Sequence, residues 1–274
     1  MASRYWKIFL LTEGHDCGEK MLKKRLIPKL LLKEGRTVKG VAFQDLRDVG
    51  NPVTNARIYN AQGADELIFL DITASQEKRN ILYDIIARTA EECFMPFTAG
   101  GGVRSLEDVR QLLLAGADKV SVNTAAVEHP EFMREAAQRF GRQCMVGAVD
   151  FKKESNGVYR IYTHGGTVQV EKDPLTWCDE LQELGVGEIL LTSIDRDGTN
   201  TGIDLELTRK VADAVDVPVI ASGGVGSLAH LAEGFQDGHA SALAVGSLFH
   251  FTDQSPIKCQ FYLKGEGIDV RVGQ

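Results

Sequence analysis

Two glycine-rich segments have the composition and setting of phosphate cradles. Gly100-Gly101-Gly102 follows the apolar run Met95-Pro96-Phe97-Thr98-Ala99, and Ser222-Gly223-Gly224 follows Val217-Pro218-Val219-Ile220-Ala221. Glycine lets backbone N–H groups approach an anion closely, and a helix starting just beyond points its positive dipole end at it. Asn123-Thr124 and Gly246-Ser247 end two further apolar runs and would complete the two pockets. Two such pockets on one molecule imply a ligand with a phosphate at each end.

The elements that must position these residues alternate in type. Candidate strands are Arg25–Leu32, Glu66–Asp71, Pro96–Ala99, Lys119–Val122, Cys144–Asp150, Glu188–Ser193, Pro218–Ala221 and Ala242–Val245. Helical patterns separate them, with a capping side chain before a proline at Asn51-Pro52 and Asp173-Pro174, and a capping-box spacing from Ser105 to Asp108. Alternation of this kind predicts a parallel sheet covered on both faces. An open doubly wound sheet would look similar strand by strand, but an internal repeat decides against it. The segment from Met95 to Leu106 matches that from Val217 to Leu228 at an offset of 122, and Glu66–Leu70 matches Glu188–Thr192 at the same offset. Two halves of four β/α units predict a closed (β/α)8 TIM barrel over residues 21–274, preceded by an extension over 1–20. Closure also removes both sheet edges. In such a barrel both glycine segments fall at the C-terminal ends of strands, where the chemistry of this fold sits.

Composition narrows the function classes. A net charge of −7 argues against a broad surface for nucleic acid or an anionic membrane, while leaving local anion sites open. Five scattered cysteines without a Cys-x-x-Cys pair read as reduced thiols of a cytoplasmic protein. No apolar run reaches the roughly 20 residues of a membrane span. His15 and Cys17 lack further ligands at metal-site spacing, so no metal is expected, and no cofactor.

Longer strings carry a resemblance. Val38-Lys39-Gly40, Phe69-Leu70-Asp71-Ile72-Thr73-Ala74-Ser75, the segment Ala117–Val127 and Leu190-Leu191-Thr192-Ser193-Ile194-Asp195-Arg196-Asp197-Gly198-Thr199 resemble the cyclase subunit family of imidazole glycerol phosphate synthase, a histidine-biosynthesis barrel. The similarity runs from about Met21 to Val272. It implies a heterodimer with a glutaminase subunit, whose ammonia passes along the barrel axis and is added to a bisphosphorylated formimino-aminoimidazole nucleotide. The resemblance also implies a ring of charges gating ammonia at the N-terminal barrel end, matched here by Arg25, Glu66, Lys119 and Glu188. Lys39 in a mobile first loop, with Asp71, Asp197 and Gly198, would hold and orient the substrate beside the cradles at Gly101, Gly102, Asn123, Thr124, Gly223, Gly224, Gly246 and Ser247.

One position departs from that family. Its mechanism uses two aspartates, at the ends of strands one and five, as general acid and general base. Asp150 supplies the second. The repeat places Lys33 opposite Lys152 and therefore Leu31 opposite Asp150, and leucine has no proton to give. Paralogues from surface-polysaccharide pathways are similar in Leu30-Leu31-Leu32-Lys33 and Tyr162-Thr163-His164-Gly165-Gly166. That likeness implies an alternative in which the barrel conducts ammonia to a sugar amidotransferase and activates a glutaminase.

Overall fold

The computed structural model describes residues 23–72 and 79–272 of the chain. The expected extension over residues 1–20, with His15 and Cys17, lies outside them. Eight parallel strands close on one another: β1 (Arg25–Lys33), β4 (Leu67–Asp71), β5 (Phe97–Gly100), β6 (Lys119–Val122), β7 (Met145–Lys153), β10 (Glu188–Ser193), β11 (Val219–Ser222) and β12 (Ala242–Val245). Strand β1 pairs with both β12 and β4, and β7 with both β6 and β10, so the ring has no free edge. The expected (β/α)8 barrel is the observed one.

The duplication survives in the register. Leu67 pairs with Phe97 and Ile189 with Val219, each partner displaced by the repeat offset. The first strand of each half then extends into an antiparallel ribbon that the sequence pattern did not separate from the adjoining loops. β2 (Arg36–Val41) and β3 (Gln44–Gly50) follow β1, and β8 (Tyr159–Thr163) and β9 (Val168–Val170) follow β7. These short ribbons alternate polar and apolar residues over few positions, which is a weak signal beside the buried barrel strands.

Helices α1 (Pro52–Ala61), α2 (Arg79–Glu92), α3 (Leu106–Leu114), α4 (Thr124–Glu128), α5 (Pro130–Phe140), α6 (Pro174–Glu183), α7 (Leu205–Ala214), α8 (Leu228–Gln236), α9 (Ser247–Phe251) and α10 (Pro256–Gly265) connect and cover the strands. The expected starts are present. Asn51 accepts from the N–H groups of Val53 and Thr54, Asp173 from that of Thr176, and Ser105 with Asp108 forms the full capping box. Apolar residues divide into two layers, as a double-faced strand requires. A large outer cluster fills the space between strands and helices. A small inner one, including Ile27, Ile68, Val146, Leu190, Ile220 and Ala242, fills the lumen.

Candidate functional site

The first-half cradle is built by close backbone packing. Gly101 has φ of 100°, and a Cβ there would stand 2.0 Å from the Asp71 carbonyl oxygen, so only glycine fits. Gly102 also has positive φ, 62°. Beyond it the Ser105 cap opens α3. At the neighbouring strand end Asn123 is the N-cap of α4 without a side-chain capping bond. Its amide instead donates to Asp150 Oδ2 at 2.9 Å and to the Tyr162 carbonyl at 3.2 Å. Thr124 Oγ1 accepts from the His164 N–H at 3.0 Å, which ties the second ribbon to the cradle.

The second-half cradle repeats the backbone. Gly223 has φ of 97°, with a would-be Cβ 2.5 Å from the Ser193 carbonyl, and Ser227 caps α8. Gly246 takes the place of Asn123, as the uncapped start of α9 with φ −113°, close to the −114° of Asn123. This cradle is covered, however. The stem of Lys39 lies 3.2 Å from where a Cβ on Gly246 would be, and the carbonyl of Gly202 packs against Gly224.

Lys39 itself corrects one expectation. It is not in a loop but in β2, only 2% exposed, with Nζ 2.7 Å from Asp197 Oδ1. Burial works against both charges, yet Lys29 and Lys39 hold the Asp197 carboxyl below the ordinary aspartate range. The ribbon is pinned further where the Ala42 N–H donates to the Asp197 carbonyl at 2.7 Å and Gly198 packs on Gly40. The second oxygen of Asp197 is buried without a hydrogen-bond partner.

A cavity of about 720 Å³ opens at the mouth, within the usual range for a small-molecule site. It brings together Asp71, Gly101, Gly102, Asn123, Thr124 and Asp150 of the expected residues, and Leu31. Lys39, Asp197, Gly198, Gly223, Gly224, Gly246 and Ser247 do not line it. Burial pushes the Asp150 carboxyl up to about 6, against the opposing pull of Lys29 and Asn123, so it can accept or release a proton near neutrality.

The barrel register places Leu31 and Asp150 at equivalent addresses. Leu31 pairs with Leu70 and Asp150 with Thr192, and positions 70 and 192 are related by the repeat. The address expected for a partner of Asp150 is therefore filled by an aliphatic side chain. Two residues earlier on the same face of β1, the sequence reading missed Lys29. It is 3% exposed, lines the cavity, and its Nζ is 2.6 Å from Ser222 Oγ. Its signal was the period of two from Arg25, which puts residues 25, 27, 29 and 31 on one face of β1. His164, Gly165 and Thr167 of the second ribbon's turn also line the cavity. The resemblance had touched His164 and Gly165 but not Thr167.

At the opposite end the four charged residues form a closed ring. Arg25 Nη1 lies 2.5 Å from Glu66 and 2.7 Å from Glu188, while Lys119 Nζ lies 2.9 Å from Glu66 and 2.8 Å from Glu188. Each acid bridges both bases, so every charge is compensated. Burial raises the Glu66 carboxyl, but Arg25 and Lys119 outweigh it and leave the group below its usual value.

A family model described as histidine biosynthesis protein matches residues 25–255. The chain belongs to that family. Its members are enzymes, and the matched span runs from the first barrel strand to just beyond α9. Among the described residues no helix is long and apolar enough to cross a membrane, and no group of three or more His, Cys, Asp or Glu is placed to hold a metal ion.

Proposed function

We propose that this histidine-biosynthesis-type barrel is the ammonia-receiving subunit of a glutaminase-coupled pair. In this reading it draws ammonia through the Arg25–Glu66–Lys119–Glu188 ring and passes it along the lumen without closing an imidazole ring itself. One observation carries it: the ring of alternating charges is complete, while Leu31 occupies the address of the acid–base partner of Asp150. Losing a positioned proton-transfer group slows a reaction by about 10²–10⁴. The acceptor of the ammonia would be a sugar amidotransferase of surface-polysaccharide synthesis, in keeping with Leu30-Leu31-Leu32-Lys33 on β1.

The open first cradle and Asp150, poised at about 6, favour a second reading. In it the chain is itself a cyclase subunit of the imidazole glycerol phosphate synthase type, acting on the bisphosphorylated nucleotide. One assay separates the two. The purified chain is given that nucleotide with excess ammonium salt, and imidazole product is followed. The proposal expects no turnover above background, and stimulation of the glutaminase that pairs with this chain. Turnover by the unaltered chain would overturn it in favour of the cyclase. Gain of turnover in Leu31→Asp would show that the rest of the cyclase site is intact.

A further inference from the structure

Lys29 breaks the internal symmetry of the barrel in a way that neither an ammonia conduit nor a carboxylate pair requires. Its register partner Ile68 corresponds to Leu190, the partner of Ala148, so the repeat places a lysine against an alanine. The level above holds Leu31 against Asp150. On the β1 side the charge has thus moved one side-chain layer, about 6–7 Å, down into the lumen and changed sign. A buried ammonium above an apolar layer carries a large burial penalty unless acceptors surround it. Ser222 Oγ takes one of the three donors of this ammonium. The charge also acts on both Asp150 and Asp197.

The shape of the cavity gives this lysine a use. One end is the Gly101–Gly102 cradle with Asn123 and Thr124; the other descends to Lys29, Ala148 and Leu190. The second-half cradle, covered by the Lys39 stem, does not face it. We infer that Lys29 is a ligand-binding residue: the mouth takes a small molecule with a phosphate in the first cradle and a second anionic group, a carboxylate, on the Lys29 ammonium. The inference rests on the reading of Gly101–Gly102 as a phosphate cradle and not on ammonia transfer. A carboxylate there would give the ammonium an acceptor besides Ser222 Oγ, and Asp150, half-protonated near pH 6, would be its neighbour as a hydrogen-bond donor.

The test uses two pairs of monophosphates that differ only in a terminal carboxylate against a hydroxymethyl group. These are 3-phosphoglycerate against glycerol 3-phosphate, and 6-phosphogluconate against sorbitol 6-phosphate. Affinities for the full chain are measured by titration calorimetry. A charge-assisted contact is expected to favour the carboxylate member of at least one pair by on the order of tenfold. That advantage of the carboxylate over the hydroxymethyl member should vanish in Lys29→Met and persist in Lys29→Arg. Lys29→Gln, which can still bond to Ser222, serves if the methionine variant does not fold. No advantage in either pair, or an advantage that survives both neutral variants, would overturn the role of Lys29 alone. Failure of all four compounds to bind would overturn the phosphate-cradle reading, and this inference with it.

Discussion

In the first half of the barrel, Gly101 packs on the Asp71 carbonyl and faces an open cavity; in the second, Gly223 packs on the Ser193 carbonyl in the same way and is covered. The two turns share backbone, glycine placement and helix caps, yet among the described residues only the first lines the cavity at the mouth. The difference comes from the ribbon that follows the first strand of each half. The β2–β3 ribbon after β1 carries Lys39 onto Gly246 and anchors it to Asp197. The β8–β9 ribbon after β7 instead places His164 beside Thr124 and leaves the first cradle on the cavity wall. A duplicated scaffold fixes where the two glycine turns stand, whereas the ribbons laid over it decide which of them lines the cavity.

Breaking the Lys39 anchor should have the largest effect. Asp197→Ala leaves a buried ammonium without its partner and is expected to lower stability by about 3–5 kcal/mol in urea unfolding. An unchanged midpoint would mean that the ribbon is not held by this ion pair. Next come the matched variants Gly101→Ala and Gly223→Ala. Each forces a left-handed residue against a carbonyl and should cost about 1–3 kcal/mol or more. Phosphate binding, measured by calorimetry, should weaken only in Gly101→Ala. Equal losses of binding in both would show that the second cradle is open in solution.

Asp150→Asn sharpens the comparison from the proton side. Because the folded carboxyl titrates near 6, above its unfolded value of 3.8, the native state binds more protons between those values. Ionised Asp150 therefore weakens the fold as pH rises from about 4 through 6. The amide should remove that slope and raise stability at pH 8 by roughly 1–3 kcal/mol. Thermal melts at pH 5 and pH 8 that move in parallel for both proteins would contradict this. The smallest contrast is between the caps. Ser105→Ala and Ser227→Ala should each cost about 1 kcal/mol. The first should cost more, since Ser105 also takes part in a capping box that Ser227 lacks.

Much of this was legible in the residues. All eight barrel strands, the glycine turns, the caps at Asn51, Asp173 and Ser105, and the Leu31–Asp150 mismatch followed from periodicity and the repeat. The Lys39 position did not. The pattern around Val38-Lys39-Gly40 reads as a polar loop, and only contact with Asp197, 158 residues away, buries it. Lys29 was hidden for a related reason, since a lysine inside an apolar strand declares a face but not what meets it there.

The amino-acid sequence by itself determined the barrel and its two glycine turns, because strand period, helix caps and positive-φ glycines are local properties of the chain. Only the tertiary structure decided that one turn is covered and the other lines the cavity, and that the Lys29 ammonium meets Ser222. Those outcomes depend on which side chains are brought together across the ring, where burial and charge compensation are settled by neighbours distant in sequence.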